Sequence, residues 1–484
     1  MQSSALIIAI AIVLATVIFA LLSIRRMETS PQEYLVGGRG FGAFFLWVLL
    51  AGEIYTSFTF LGAAGWAYTF GAPAFYILAY GTVGYVFWYF FLPWIWRLGK
   101  KHNLLTAPDL FAHCYGNKPL TTLVSILYCL SVIPYVTLQL SALQIFLTIA
   151  GYGTINAELG AGIAYLLIVA FVFATGLRGT AWTSIVKDGL VIAALLFAGI
   201  ALPIQFFGSP AGLFDQLIKA HPAMLTLGAS NAPKGTAWFV STVVLSGFGY
   251  FMGPHSIAAV YSAKDENVLR RNAMLLPLYQ LVIVLVLFAG LGAVLITPGL
   301  RGAAADQSFL VVVQRYYPNW MLGFITAAGM LCALVPSTAL LLCVAGILAK
   351  NIGGDLFGLA LEDRARVIAT RAMVALVGLG ALILWIAYKT QIVDLLLLYY
   401  NGVSQLAPGC IAAYFRLRVT AWGVGAGILA GTAVASYLAS PGVTPPLGLN
   451  PGLVGLAINI AMLALISLAT RNNPGKTPAY PRAD

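Results

Sequence analysis

Thirteen continuous apolar stretches, separated by short polar gaps, fill most of the chain: 4–24, 42–70, 72–96, 120–150, 157–177, 180–207, 236–258, 273–298, 319–349, 372–388, 391–415, 419–439 and 452–470. A helix needs about 20 apolar residues to cross a bilayer, and each stretch meets that length. The stretches are continuous rather than alternating, which predicts helices and not the strands of a membrane barrel. The fold class expected is an all-α polytopic membrane protein. Two of the gaps assigned below to the outside, 208–235 and 299–318, are longer than the other outside gaps and mix apolar with polar residues (Leu213, Phe214, Leu217 and Ile218; Phe309, Leu310 and Val313). They fit either short helices at the membrane interface or ordinary loops.

Composition strengthens this reading. Of 484 residues, 61% are hydrophobic and 8% charged, whereas soluble domains carry about 25% charged residues. So few charges exclude a water-soluble particle, and so much apolar content excludes disorder. Thirteen helices leave no room for a soluble catalytic domain. The net charge of +11 does not point to nucleic acid, because its distribution answers to the membrane. With the N-terminus outside, inward-facing gaps hold 20 of the 26 Lys and Arg residues and outward-facing gaps hold 5. That asymmetry is what the positive-inside rule expects. It places the C-terminus in the cytoplasm and the chain in a bacterial-type inner membrane. The first stretch carries its positive charge after the apolar run, at Arg25 and Arg26, so it reads as a retained helix rather than a signal peptide. Five scattered cysteines suggest neither a disulfide framework nor a metal site.

Interruptions within stretches point to a site. Stretch 42–70 runs through Gly52-Glu53 and then Tyr55-Thr56-Ser57-Phe58-Thr59; stretch 236–258 runs through Ser246-Gly247-Phe248-Gly249 and ends at Gly253-Pro254. They open two consecutive five-helix sets, 42–207 and 236–415. Paired interruptions at matching positions are the sequence pattern of an inverted repeat around a central binding site. The expected layout is an N-terminal helix and loop (1–41), the two repeats, an outside loop between them (208–235), two more helices (416–470) and a tail (471–484). Glycines alone fit simple helix packing; glycine with a carboxylate and three hydroxyls favours a site.

Charge is costly inside a membrane, at least ~2.5–3.5 kcal/mol per residue. Apart from Glu158, the second residue of its stretch, only Glu53, Lys187, Asp188 and Asp394 fall within stretches. Glu53 lies about 16 Å along its helix and Lys187 about 10 Å from the start of its own. Thr180, Thr183, Ser184 and Lys187 recur at helical spacing and share one face, and Asp188 lies where it can reach Ser184. Lys187 either snorkels to the headgroups, forms a fixed ion pair with Asp188 or Glu53, or works in transport. Asp394 reads as a solvated helix-end residue, and His255 as a structural histidine at a cytoplasmic helix end. Tyr135 and Gln139, one turn apart, line a cavity or bond neighbouring helices. No nucleotide-binding, metalloprotease or hydrolase motif is present. A secondary transporter is therefore expected, ahead of a channel or an intramembrane enzyme.

Several segments in order carry a family resemblance: Tyr34-Leu35-Val36-Gly37-Gly38-Arg39-Gly40; Leu105-Thr106-Ala107-Pro108-Asp109; Gly176-Leu177-Arg178-Gly179-Thr180-Ala181-Trp182-Thr183; Gly253-Pro254-His255; and Tyr261-Ser262-Ala263-Lys264-Asp265. On these the chain resembles the sodium:solute symporter family, which includes proline, pantothenate, acetate and sugar permeases. Gly52-Glu53-Ile54-Tyr55-Thr56-Ser57-Phe58 is similar to its monocarboxylate permease branch. The resemblance implies a LeuT-like five-plus-five inverted repeat with one extra helix before it and two after. It also implies a sodium site made of backbone carbonyls at Gly52 and Tyr55 and paired hydroxyls on the eighth core helix. An ungapped alignment puts Val335 and Pro336 at the hydroxyl positions, with Ser337 and Thr338 next. In the fifth core helix the family often has Trp-Thr-Asp followed by Gln; here stand Trp182-Thr183-Ser184 and then Lys187. An acid is gone and a base has arrived.

The expected function is a cation-coupled symporter that imports a short monocarboxylate of the pyruvate, lactate, acetate or propionate type. The alternatives are pantothenate, an amino acid or another small polar solute carried with sodium. Thr56, Ser57 and Thr59 are the expected substrate ligands, with Tyr135 and Gln139 opposite. Gly52, Glu53, Tyr55, Ser184, Lys187, Ser337 and Thr338 are the expected coupling residues. The partners are the small organic anion, a coupling cation (Na+ or H+) and the lipid bilayer. No cofactor, no resident metal and no enzyme activity are expected.

Overall fold

A computed structural model describes residues 4–24, 42–52, 54–229, 232, 234–359 and 363–471. Glu53, the 34–40 motif and the tail from residue 472 lie outside them. The described residues form helices and connecting turns. In order these are α1 (Ser4–Ile24), α2 (Ala43–Gly52), α3 (58–70), α4 (Ala72–Lys101), α5 (Ala107–Tyr115), α6 (Lys118–Ala150), α7 (Ala157–Gly176), α8 (Gly179–Phe207), α9 (Pro210–Ala220), α10 (Thr236–Phe251), α11 (Pro254–Ser262), α12 (Glu266–Ile296), α13 (Ser308–Tyr316), α14 (Asn319–Leu356), α15 (Asp363–Ala387), α16 (Ile392–Val403), α17 (Ala407–Tyr414), α18 (Ala421–Leu438) and α19 (Pro451–Thr470).

Ten of these helices are long and apolar enough to cross a membrane alone, and the bent pair α10–α11 makes an eleventh. The two remaining predicted stretches, 42–70 and 391–415, are each split into pieces too short for one crossing. The first breaks after Gly52, the second around Ser404–Leu406. Stretches 157–177 and 180–207 are separated by Gly176, whose φ of 54° is a left-handed backbone that only glycine adopts freely.

Side-chain caps fix the helix starts, because the first amides of a helix have no partner within it. The side chain of Asn117 accepts from Leu120 N at 2.9 Å, that of Asn156 from Leu159 N at 2.8 Å, and that of Thr420 from Gly423 N at 3.1 Å. Helix α5 falls in a gap that was expected to be loop. Its capping box is Thr106-x-x-Asp109, with Asp109 Oδ2 accepting from Leu105 N at 2.9 Å and Thr106 N at 3.0 Å.

Burial orders the layers. In α14, 89% of the apolar window is buried, against 28% in α1 and α15. Helix α14 is thus the central element, packed by α1, α6, α7 and α8, while α1 and α15 keep a broad face outward. Helix α4 packs against α10 and α12, and α18 pairs with α19. The two long gaps differ from each other. In 208–235, α9 buries Leu213 and Leu217 and leaves its other side exposed. In 299–318, α13 turns Phe309, Leu310, Val312 and Val313 inward, so it is part of the core and not an interfacial helix.

Candidate functional site

The chain crosses its two breaks at matching places, α2–α3 at the start of the first five-helix set and α10–α11 at the start of the second. In the first break the backbone leaves the helical ladder after Gly52 and rejoins it at Phe58. Carbonyls here need partners from elsewhere, because a buried carbonyl without one is costly. Lys187 supplies them. Its Nζ donates to Tyr55 O at 3.1 Å and to Gly52 O at 3.4 Å. Its third neighbour is Asp188 Oδ1 at 2.9 Å. An ammonium has three donors and no acceptor; two of them go to these carbonyls, and the Asp188 contact is an ion pair without hydrogen-bond geometry. The lysine is 0% exposed; it does not snorkel.

The wall around this ammonium is tight. A Cβ at Gly52 would lie 3.4 Å from Ser184 Oγ, 3.7 Å from Lys187 Nζ and 3.8 Å from Val335 Cγ1. The residue of α14 beside Gly52 is therefore a valine, which has no oxygen to offer. Ser337 Oγ instead donates to Ala333 O at 2.6 Å, and Thr338 Oγ1 lies 3.4 Å from Leu334 O. Both hydroxyls are turned back on their own helix. Thr180, Thr183 and Ser184 do the same, donating to Gly176 O, Gly179 O and Thr180 O at 2.6, 2.9 and 2.9 Å. Asp188 was expected to reach Ser184; the serine hydroxyl is already committed, and the carboxylate meets the lysine. Tyr55 is anchored from its far end, its hydroxyl donating to Tyr279 O at 2.6 Å.

The hydroxyls of the first break divide into two kinds. Thr59 Oγ1 accepts from Thr56 N at 2.9 Å and donates to Thr56 O at 2.8 Å, while Thr56 Oγ1 accepts from Phe58 N at 3.2 Å. These two threonines hold the unwound segment in shape. Ser57 Oγ is buried and has no partner among the described residues. Gln139 is 0% exposed, and among the described residues both its Oε1 and Nε2 are also without a partner. Buried polar groups are nearly always bonded, so unpaired atoms on facing elements call for a ligand or for water. Helix α6 carries Gln139 and packs against the 58–62 turn of α3.

The second break bends the chain by 42° between Phe251 and Pro254. Tyr128 Oη donates to the freed carbonyl of Met252 at 3.0 Å. Tyr135 comes to this break: its ring centroid lies 5.6 Å from that of His255 and 4.9 Å from that of Tyr399. A Cβ at Gly253 would meet Tyr399 Oη at 2.8 Å, so only glycine lets the backbone pass. His255, expected as a structural histidine at a helix end, is the buried second residue of α11, which Pro254 opens and which runs on to Ser262. Tyr128 and Tyr399 were not identified from sequence.

Two polar clusters flank the breaks, and sequence reasoning missed both. On one side, Asp109 Oδ1 accepts from Lys350 Nζ at 2.5 Å and from Asn351 Nδ2 at 2.9 Å, while Thr106 Oγ1 donates to Asn351 Oδ1 at 2.7 Å. Burial opposes its charge, but Lys350 and these hydrogen bonds outweigh it and hold the Asp109 carboxyl below the usual range. On the other side, the fully buried Asp306 accepts from Ile392 N at 2.8 Å and caps α16. It presses on Gly65, where a Cβ would lie 2.3 Å from Oδ1. Burial, with Asp394 nearby, pushes the Asp306 carboxyl well above its ordinary range despite the Ile392 amide.

Comparison with known proteins places this architecture. A family model described as the sodium:solute symporter family matches residues 34–431. The chain is 37% identical to an uncharacterized symporter, YhjB, of Bacillus subtilis, covering 97% of this chain and 98% of that one. It is 28% identical to a monocarboxylate transport permease protein of Rhizobium johnstonii, covering 94% and 93%. In fold it is similar to a substrate-bound, outward-open Na+-coupled sialic acid symporter, with a TM-score of 0.80 over 98% of each chain at 14% identity. The fold is thus LeuT-like, and its bearer is a multi-pass membrane transporter and not an enzyme. The chain belongs to the sodium:solute symporter family.

Proposed function

We propose that this transporter imports a short monocarboxylate together with a proton, and that the ammonium of Lys187 stands where the family binds sodium. One observation carries the proposal: Lys187 Nζ donates to the two carbonyls, Gly52 O and Tyr55 O, that the first break frees. A cation is needed there to satisfy the oxygens. The chain supplies its own, and the residue that α14 sets beside Gly52 is Val335, which carries no hydroxyl.

A bound cation can be carried only by leaving. A tethered ammonium cannot leave, but its proton can. An amine holds its proton more or less firmly as its surroundings change, and alternating access supplies two surroundings. Lys187 takes up a proton from the outside and gives it up inside, after which the neutral amine resets. Asp188 Oδ1 lies 2.9 Å from this Nζ. The neutral form weakens the hold on Gly52 O and Tyr55 O, and so loosens the break on which the substrate sits.

The substrate carboxylate binds at the start of α3. The first amides of a helix and the unpaired hydroxyl of Ser57 favour an anion there. Gln139 provides a second contact, and Tyr135 closes the pocket. A short acid fits, since among the described residues no arginine is buried to form a stronger clamp. Similarity to the Rhizobium monocarboxylate permease supports this class of substrate. Basic residues gather on the cytoplasmic face of an inner membrane, with the N-terminus outside.

The test is uptake into proteoliposomes. A panel of labelled acids is offered with a proton gradient alone, then with a sodium gradient alone. Accumulation of a monocarboxylate on the proton gradient without sodium is expected. An absolute need for sodium at every pH would overturn the role of Lys187 and turn attention to Ser337 and Thr338. Rejection of all monocarboxylates in favour of pantothenate or an amino acid would overturn the substrate.

A further inference from the structure

An apolar groove opens on the surface of the protein where α6, α18 and α19 meet. Its volume is about 540 Å³, and its walls include Leu120, Leu123, Trp422, Gly425, Leu429 and Ile466. Glycine leaves the floor open: a Cβ at Gly425 would lie 3.8 Å from Leu120 Cδ1 and 3.9 Å from Leu123 Cδ2. Trp422 and Leu429 are 52% and 58% exposed, so the groove faces the lipid.

Its mouth is basic. Lys118 lies between the lining residues Asn117 and Pro119, and Arg471 follows the lining residue Thr470. Arg416 and Arg418 immediately precede α18. Thr420 Oγ1 lies 2.7 Å from Thr470 Oγ1, and Thr420 N donates to Ser467 Oγ at 3.0 Å. These bonds bring the start of α18 to the end of α19, so the arginines before one helix converge with the arginine after the other. All four cations are exposed. Among the described residues, none of the four has an acidic partner. Phe415 and Leu417, 62% and 50% exposed, interleave with the arginines, as at a membrane surface. The N-termini of α6 and α18 add positive potential at the same level.

We infer that this groove is a binding site for one anionic phospholipid, with an acyl chain between α6 and α18 and the headgroup phosphate among Lys118, Arg416, Arg418 and Arg471. An apolar slot and a cationic rim together match a molecule that is apolar along its length and anionic at its end. Two other occupants match poorly. A second copy in two-fold contact would set the basic rim against its own image. The chain's own tail carries Lys476 and Arg482 against one acid, Asp484, the same sign as the rim.

Trp422 reports on the site. Purified full-length protein is titrated with phosphatidylglycerol carrying brominated chains, and separately with brominated phosphatidylcholine. The Trp422 signal is the difference between the parent and Trp422→Phe. We expect quenching at about tenfold lower phosphatidylglycerol than phosphatidylcholine. The triple variant Lys118→Gln/Arg418→Gln/Arg471→Gln should lose that preference while chains of either lipid still quench. A single charge removed should cost about fivefold. Gly425→Leu fills the floor and should weaken quenching by both lipids. Should this variant fold poorly, the triple variant still decides. Equal quenching by the two lipids in the parent would overturn the headgroup site. Absent quenching with disulfide crosslinking of Leu429→Cys between copies would assign the groove to a second copy instead.

Discussion

Removing the Lys187 ammonium tests the centre of the mechanism. Lys187→Ala leaves three oxygens facing one another: Gly52 O, Tyr55 O and the Asp188 carboxylate. The pair's side chains are 0% and 8% exposed, so solvent does not screen the loss. Breaking one partner of a buried pair costs about 3–5 kcal/mol, a large share of a typical stability of about 5–15 kcal/mol. A single variant therefore mixes a folding effect with a coupling effect. Lys187→Met/Asp188→Leu removes both charges and keeps the volume, a change that is often neutral or stabilising for buried pairs. Its thermal unfolding should lie near that of the parent, with the single variant well below both.

Transport then separates the roles. In proteoliposomes with a gradient of one pH unit, acid outside, the parent can concentrate its substrate at most about tenfold, since one unit is worth about 1.4 kcal/mol. The double variant should only equilibrate the substrate, a ratio of one, while still exchanging labelled for unlabelled substrate. A double variant that folds as the parent does and still concentrates substrate on a proton gradient refutes Lys187 as the proton carrier. If Lys187→Ala alone unfolds and the double variant is fully coupled, the lysine is no more than half of a structural pair.

Other residues give independent checks. Ser57→Ala and Gln139→Ala should each weaken substrate binding about tenfold or more, the worth of a hydrogen bond to a charged group at about 1.5–3 kcal/mol, and isothermal titration reads it directly. Thr56→Ala and Thr59→Ala should instead lower thermal stability, because their hydroxyls hold the backbone of the break. Asp306, whose carboxyl is pushed well above the ordinary range by burial, keeps its proton in the folded protein, whereas the unfolded chain loses it near the usual value. Stability should therefore fall as pH rises from about 4, and Asp306→Asn, which retains an oxygen for Ile392 N, should flatten that slope in thermal unfolding between pH 5 and 8. Asp109 is the opposite case: its carboxyl is held down, so the links to Lys350 and Asn351 should persist through pH 5 and fail only below the usual carboxylate range.

Eleven of the thirteen spans were legible because lipid allows few ways to hide a backbone; the runs 42–70 and 391–415 are as apolar but break into shorter helices. Lys187 was legible for the same reason in reverse, as a charge that had to be explained. Its partners were only half legible. The sequence pattern put Asp188 within reach of Ser184, but a lysine side chain reaches across to another helix, and Gly52 is 135 residues away in sequence. Gly253-Pro254 reads as a helix stop; in the fold, proline opens the next helix and Tyr128 satisfies the carbonyl in between. Asp306 gave no signal, since its role depends on an amide 86 residues on. The capping box at Thr106-x-x-Asp109 was a local signal that would have revealed α5.

Charge bookkeeping gives the proposal its sharpest consequence. A monocarboxylate that enters with one proton moves no net charge. A membrane potential of 100 mV is worth about 2.3 kcal/mol per charge moved, so it should leave such uptake unchanged. If Lys187 stayed protonated throughout the cycle, the anion would enter alone, and a potential negative inside would oppose it by that amount, about fiftyfold in the final ratio. If one sodium ion accompanied the anion, uptake would again be neutral but would follow the sodium gradient instead of pH. Two sodium ions would make a negative interior favourable. Clamping the potential with potassium and valinomycin therefore separates the lone anion, the two neutral cases and the two-sodium case by sign, and varying pH and sodium in turn separates the two neutral cases. Potential-independent accumulation that tracks pH alone is the outcome that a lysine seated on Gly52 O and Tyr55 O requires. Accumulation that rises as the inside is made more negative would show that more positive charge enters than one tethered amine can carry.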